Sequence, residues 1–168
     1  MGAQPQSHGV SRATITAAFP RLKRHSLLLT SPPTPAYNCI GWAAEDPARF
    51  WWPDPQGFAY WPAGVSRTEE IPSFVAAFAL LGYAPCADGS HERQYQKLAI
   101  FADQNGKPTH MARQLKNGQW TSKLGREEDI AHSIYGLESG RYGNVVQYLK
   151  RPIGGGPPSS GNSAASGN

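Results

Sequence analysis

The clearest hydrophobic pattern along the chain is helical and lies between residues 69 and 81. Apolar side chains recur there at intervals of three or four residues: Ile71, Phe74, Val75, Phe78 and Leu81. Such spacing puts them on one face of a helix. Thr68 can cap its start, Pro72 is tolerated in the first turn, and Gly82 can end it. The pattern predicts a helix over residues 69–81 with one buried face.

A shorter helix is predicted over residues 38–45, where Asn38 can act as the N-cap. Ile40, Trp42 and the alanines that follow give this helix apolar contacts. Aromatic residues and prolines then alternate over residues 50–62. A segment of this kind is rigid and wraps around a core rather than forming one long regular element.

Alternating polar and apolar positions indicate an antiparallel meander in the second half of the chain. The predicted strands are residues 95–103, 108–115, 119–124 and, after a polar stretch and a loop, 144–150. Asn105-Gly106 and Asn117-Gly118 connect the first three strands. Asn-Gly is a strong hairpin signal because both central residues of a type I′ turn need positive φ.

The length of these loops decides which side chains share a face of the sheet. With two residues in each loop, His110 lies opposite Phe101 on one side and near Gly125 on the other. Lys123 is then near His110, and Ser122 projects to the opposite face.

These elements predict an α+β fold in one domain over residues 17–152. An N-terminal helix that carries Cys39 packs on a four-stranded antiparallel sheet in this fold. The flanking residues 1–16 and 153–168 are expected to be disordered, since they hold few large apolar side chains to offset the entropy of ordering.

Composition and charge narrow the classes of function. The formal net charge is +4, but the basic residues are scattered, so we expect a solvated surface and no nucleic-acid partner. No apolar run approaches the roughly 18 residues that a membrane helix needs, and the N-terminus lacks a signal-peptide pattern. We therefore expect no membrane association and a cytoplasmic location, unless the protein is exported as an effector. Two cysteines are too few for a disulfide scaffold.

The candidate chemistry centres on one cysteine and one histidine. Cys39 follows the predicted N-cap, where unpaired N–H groups and the helix dipole favour a thiolate. A thiol nucleophile needs a base within hydrogen-bond reach, and His110 on the predicted sheet is the natural partner. The order of a cysteine on an early helix and a histidine on a later strand is typical of papain-like cysteine hydrolases.

Several short motifs also resemble a bacterial domain family without established activity. They are Tyr37-Asn38-Cys39-Ile40-Gly41-Trp42-Ala43-Ala44, Trp51-Trp52-Pro53, Thr109-His110-Met111-Ala112-Arg113-Gln114, Trp120-Thr121-Ser122-Lys123-Leu124-Gly125, Asp129-Ile130-Ala131-His132 and Tyr142-Gly143. The resemblance spans residues 19–151, with glycine at position 41 where alanine is expected. That family is distantly similar to papain-like and cell-wall-amidase-like enzymes through its cysteine and histidine, which implies a hydrolase.

A third catalytic residue would orient the histidine, and the predicted register favours Asp129 for this role. Ser122 ranks lower, and His132 and Asp46 are further options. The backbone N–H of Cys39 is the default oxyanion donor. The residues assigned to substrate binding are Tyr37, Asn38, Trp42, Trp51, Trp52, Gln114 and Lys123.

The leading hypothesis is a thiol hydrolase or acyl transferase that acts on an amide bond of a protein, peptide or smaller substrate, as a peptidase, amidase or deamidase, and that serves as a bacterial toxin or effector domain. It needs no cofactor and no metal. The alternative is a non-catalytic binding or immunity-type module, since a cysteine in an apolar helix is often plain core. Zinc binding by Cys39, Cys86, His110 and His132 is weaker, because no pair has close ligand spacing.

Overall fold

The computed structural model describes residues 12–23 and 27–154 of the 168-residue chain. The helices are α1 (Arg12–Ala18), a 3-10 helix (Pro20–Lys23), α2 (Cys39–Ala43), α3 (Ile71–Ala79) and α4 (Ile134–Leu137). The strands are β1 (Leu27–Ser31), β2 (Ala84–Cys86), β3 (Tyr95–Ala102), β4 (Pro108–Gln114), β5 (Trp120–Lys123), β6 (Asp129–His132) and β7 (Asn144–Pro152). Residues 1–11 and 155–168, most of the two predicted disordered segments, lie outside the described residues, and from Arg12 the first segment forms α1.

All seven strands belong to one antiparallel sheet with the order β1-β6-β5-β4-β3-β7-β2. The predicted four-stranded sheet with an N-terminal cysteine-bearing helix, and with it the papain-like architecture, is therefore wrong. The four predicted strands form, but β1, β2 and β6 were not expected. Two of these are edge strands of five and three residues, too short to show a clear alternation. The third, β6, lies in a stretch rich in charge.

Both predicted helices form close to their expected limits. The Asn38 side chain accepts a hydrogen bond from the Gly41 N–H at 3.1 Å, so α2 has its predicted N-cap. In α3, Pro72 lies in the first turn, and Phe74 and Phe78 are fully buried, as the periodicity predicted. Thr68 does not cap α3 directly; its hydroxyl contacts the Ser73 hydroxyl at 2.5 Å.

The sheet has a hydrophobic cluster on each face. The first, the α2 face, joins α2, α3 and the aromatic segment to Leu98, Ile100, Met111 and Leu149 of the sheet. The second, the α1 face, joins α1, the 3-10 helix and α4 to Ala99, Phe101, Ala112, Trp120 and Ile130. A sheet covered on both faces explains why most of β3 to β6 is buried.

The register of β5 differs from the prediction because its hairpin loop has three residues. Leu115 N–H donates to the Gln119 carbonyl, and Gly118 takes the positive φ of 87° that such a loop needs at its last position. The pairing Gln114↔Trp120 follows. One extra loop residue reverses the faces of β5, so Ser122 lies on the His110 side and Lys123 on the other. The β3–β4 register was predicted correctly, with Phe101 opposite His110.

None of the helices within the described ranges combines the length and the apolar character that crossing a bilayer requires.

Candidate functional site

Three buried side chains on neighbouring strands form a hydrogen-bonded chain across the α1 face. His110 Nε2 on β4 lies 2.9 Å from the Ser122 hydroxyl on β5. That hydroxyl lies 2.8 Å from His132 Nε2 at the end of β6, and His132 Nδ1 lies 2.8 Å from the Ser133 carbonyl. No member is more than 2% exposed, so water does not compete for these bonds. We call this set the histidine relay.

The relay determines which nitrogen of each ring carries the proton. A carbonyl can only accept, so His132 Nδ1 must be the donor to Ser133. The other nitrogen of a neutral His132 is then an acceptor, and the Ser122 hydroxyl donates to it. The Ser122 oxygen accepts in turn from Nε2 of His110, which leaves His110 Nδ1 as a bare lone pair. This Nδ1 atom is buried and has no hydrogen-bond partner among the described residues.

Burial keeps both imidazoles neutral at physiological pH. Desolvation, and then the nearby His132, hold the pKa of His110 well below its ordinary value of 6.5. Desolvation lowers the pKa of His132 to about 4. The site therefore holds an unprotonated imidazole base whose free nitrogen has no hydrogen-bond partner in the described ranges.

Tyr142 covers this base from the loop before β7. Its ring is stacked on His110 with centroids 4.0 Å apart and planes inclined by 1°. Its carbonyl accepts from the Thr109 hydroxyl, next to His110. The adjoining Gly143 has a φ of 76°, and a Cβ there would collide with the Ala102 carbonyl. Glycine at this position lets the loop approach β3 closely enough for Tyr142 to lie on the histidine.

Cys39 is the first residue of α2 and is 7% exposed. Desolvation raises the pKa of its thiol to about 11, although the backbone N–H groups of Met111, Ile40 and Cys39 itself act in the opposite direction. The helix start thus supplies the N–H groups that were expected, but burial outweighs them. In this closed state Cys39 is a neutral thiol.

The thiol and the imidazole approach the same peptide of β4 from opposite faces. Cys39 packs in the cluster on the α2 face, whereas the His110 ring packs against Phe101 and Tyr142 on the α1 face. The Met111 N–H that faces the sulfur belongs to the residue directly after His110. Cys39 is also close enough to Tyr142 to contribute, after burial, to the raised pKa of its phenol.

The sheet is open at this point. The β4–β5 ladder contains only Arg113↔Thr121 and Gln114↔Trp120, so residues 108–112 of β4 have ladder partners in β3 alone within the described chain. The separation of β4 from β5 leaves room for the Ser122 side chain beside His110. It also exposes the β4 backbone to Cys39.

Asp129, the first choice for a third catalytic residue, lies away from His110 in a second buried cluster on the α2 face. Its Oδ2 accepts from the Tyr37 hydroxyl at 2.7 Å, and its Oδ1 lies 3.9 Å from the Lys123 ammonium. Lys123 is completely buried and also donates to the Glu127 carbonyl. Ser122 occupies the place beside His110 that was expected for Asp129. We call Tyr37, Lys123 and Asp129 the lysine cluster.

Most of the residues assigned to substrate binding have structural partners. Asn38 holds both the α2 N-terminus and the Trp51 backbone. Trp51 is a core residue whose indole donates to Asp46, a further option for the third residue, and Trp52 donates to Glu69. These hydrogen bonds hold the segments around α2 in place, which is a structural role rather than substrate binding.

Two other assigned residues, Gln114 and Trp42, differ in their exposure. Gln114 is buried and donates to the Gly89 carbonyl. Trp42 donates to the Thr121 hydroxyl at 3.1 Å and borders a surface cleft. Trp42 therefore lies where a ligand can reach it without a rearrangement, whereas Gln114 does not.

The residues that surround His110 have weak signals in the sequence. Ser122 was placed on the wrong face by a single loop residue, and His132 was only one option in a stretch expected to be polar loop. Tyr142 is present in the sequence motifs only through Tyr142-Gly143, which assigns it no role. For the zinc hypothesis, no group of three or more histidine, cysteine or acidic side chains in the described ranges is arranged to hold a metal ion.

Comparisons with known proteins give one match. No curated protein and no solved structure matches the chain. A family model matches residues 28–150, which include α2, α3, α4, the relay, the lysine cluster and nearly all of the sheet. The chain belongs to the family defined by this model, the domain of unknown function DUF7689.

Proposed function

We propose that this domain is a thiol-dependent hydrolase or acyl transferase for amide bonds, with Cys39 as nucleophile and His110 as base. The observation that carries the proposal is the unpartnered Nδ1 of His110, which the relay holds as a proton acceptor. A buried acceptor without a partner costs free energy and is uncommon in folded proteins. Such a feature is expected where a group serves a reaction rather than stability.

The proposed reaction uses the chain's own groups in two steps. His110 Nδ1 takes the Cys39 proton as the sulfur attacks the carbonyl carbon, and the proton then passes to the leaving amine as the carbon–nitrogen bond breaks. Water or a second amine attacks the resulting thioester, gives a proton to His110, and releases the acid or a new amide with the thiol restored. The Cys39 backbone N–H is the proposed oxyanion donor.

His132 and Ser122 act as positioning residues in this scheme. When His110 becomes cationic, its Nε2–H continues to donate to Ser122, so the relay keeps the ring oriented through both steps. The relay replaces the aspartate that was expected in this role.

The reaction requires the site to open and the Cys39 sulfur and His110 Nδ1, which approach β4 from opposite faces, to meet beside the open part of the β4–β5 pairing. Cys39 is 7% and His110 1% exposed, so a substrate carbonyl cannot reach the sulfur in the closed state. Tyr142 is the natural gate, because it covers the histidine and belongs to a connecting loop rather than to a strand. Substrate binding that displaces this loop would admit the carbonyl and lower the cost of forming the thiolate.

An activated ester tests the chemistry without knowledge of the natural substrate. In a Cys86→Ser background, we expect p-nitrophenyl acetate to give a burst of about one p-nitrophenolate per chain, because an acyl-enzyme accumulates. Intact-mass analysis should place one acetyl group on Cys39. The His110→Gln variant, whose amide can still donate to Ser122, should react about a hundredfold more slowly or worse, since it lacks the base.

Circular dichroism of each variant checks that it is folded. Release of p-nitrophenolate at the wild-type rate from Cys39→Ala would overturn the proposal, as would an undiminished burst from His110→Gln.

A non-catalytic binding or immunity-type module is the second candidate, and one observation favours it. Burial raises the pKa of the Cys39 thiol to about 11, whereas an exposed, activated cysteine has a lowered pKa. On this alternative the relay is structural, and the acetylation rate of Cys39 does not depend on His110. A cytoplasmic location, a bacterial origin and a role as a toxin or effector remain predictions from the sequence. The proposed reaction shares with papain-like enzymes only the use of a cysteine as nucleophile and a histidine as base.

A further inference from the structure

A cleft of about 260 Å³ lies beside α2 on the face that carries Cys39. It is lined by Trp42, Glu45, Asp46, Pro47 and Arg113. Trp42 follows Cys39 by three residues, which is about one helical turn. Arg113 follows Met111, whose N–H faces the Cys39 sulfur, by two residues on the same face of β4. The cleft therefore lies next to the thiol. A group adjacent to the reacting amide of an extended substrate would lie in it.

Arg113 is the residue in this cleft whose hydrogen-bonding capacity is least used. Its guanidinium lies over the Trp42 ring at 4.0 Å from the centroid, and Nη1 donates to the Trp42 carbonyl at 2.9 Å. Its Nε is buried and has no partner among the described residues. A guanidinium offers five N–H donors, so these contacts leave it short of acceptors. The side chain is 11% exposed, and the exposed part borders the cleft.

The two carboxylates of the cleft do not supply the missing acceptors. Glu45 pairs with Arg151 at 2.9 Å, and Asp46 pairs with Arg49 at 2.6 Å. The distance from Glu45 Oε1 to Arg113 Nη1 is 3.7 Å, which is within the range of an ion pair but longer than a hydrogen bond. Glu45 is shared between Arg151 and Arg113, and Asp46 pairs with Arg49, so three guanidinium groups share two carboxylates and the cleft carries an excess of positive charge.

We propose that this cleft binds a carboxylate of the ligand, with Arg113 as the recognising group and Trp42 as the surface that keeps the guanidinium plane in place. An arginine fork matches the two oxygens of a carboxylate, and stacking on an indole orients it in advance. The description of the ligand as a substrate rests on the proposed function. With that function, the carboxylate site specifies the substrate class: amides with an acidic side chain or a terminal carboxylate close to the bond that is broken.

A pair of nearly isosteric ligands tests the proposal. N-acetyl-glutamate amide and N-acetyl-glutamine amide differ only in a carboxylate against a carboxamide. In an NMR titration of the ¹⁵N-labelled full chain, the first should shift the Trp42 indole N–H and the Arg113 Nε–H saturably. The second should bind at least about tenfold more weakly, because a charge-assisted pair is replaced by a neutral hydrogen bond.

Variants locate the effect and separate it from catalysis. Arg113→Met should abolish the shifts, whereas Arg67→Met, which removes an arginine paired with Asp54 away from the cleft, should leave them unchanged. Equal affinity for both ligands, or an equal response to sodium chloride as an adventitious ion only, would overturn the inference. If Arg113→Met fails to fold, the comparison of the two ligands on the wild-type chain still decides.

The titration and the ester assay can fail independently. Binding should persist in Cys39→Ala, since the cleft does not include the sulfur. A normal titration with no acetyl burst would reject the proposed reaction and retain the carboxylate site. A burst with no carboxylate preference would reject the site alone.

Discussion

Replacing Asp129 by Asn should lower the free energy of unfolding by roughly 3–5 kcal/mol, the usual cost of removing one partner from a buried ion pair. Asparagine can still accept from the Tyr37 hydroxyl, so the change removes charge and little else. Lys123 is 0% exposed. In the variant its ammonium either stays charged without the nearest carboxylate or loses its proton, and both outcomes cost free energy. Urea unfolding at pH 7 measures the loss.

The double variant Lys123→Met/Asp129→Asn is the matched control. Methionine has similar bulk and no charge, so most of the lost stability should return. A loss below about 1 kcal/mol in the single variant would show that the pair is of little importance for stability. It would also contradict the role of Asp129 as a structural anchor for the segment before Cys39.

Acidification should destabilise the fold through the relay. The pKa of His132 is about 4 in the folded chain and near 6.5 when unfolded, so between these values the unfolded state binds more protons. The stabilisation is therefore complete above pH 6.5 and is lost as the pH falls towards 4. The difference between the two pKa values corresponds to roughly 3 kcal/mol. His110, whose pKa is also lowered, acts in the same direction.

Urea unfolding of the wild type and of His132→Gln at several values between pH 7 and 4 isolates this contribution. Glutamine can accept from Ser122 but does not titrate, so the decline with falling pH should be shallower by about 3 kcal/mol. Carboxylates with lowered pKa values, such as Glu45 and Asp46, contribute equally to both proteins and cancel in the comparison. Identical slopes would mean that His132 is not buried as a neutral ring.

The parts of the fold that could be predicted from the sequence are those with strong local signals. The α3 stripe, the Asn38 cap and the strands on either side of the first Asn-Gly loop have local patterns that agree with the tertiary structure. The β3–β4 register followed from that loop, which placed His110 opposite Phe101 correctly. These features depend on residues that are near one another in the chain.

The rest depended on contacts that local patterns do not encode. A third residue in the Lys116–Gly118 loop reversed the faces of β5, and this alone moved Ser122 to His110 and Asp129 away from it. In β6 the polar side chains of Asp129 and His132 make a buried strand resemble a loop, since their partners Tyr37 and Ser122 are distant in sequence. Burial also reversed the expected effect of the helix start on Cys39.

The proposed chemistry depends on His110 offering an unprotonated Nδ1 that Ser122 and His132 hold in place. Long-range ¹H–¹⁵N correlation spectra of histidine-labelled protein at pH 7, assigned with the His110→Gln and His132→Gln variants, measure this directly. We expect a proton on Nε2 and none on Nδ1 of His110, with the opposite arrangement in His132. A proton on Nδ1 of His110, or a cationic ring, would contradict the proposed chemistry.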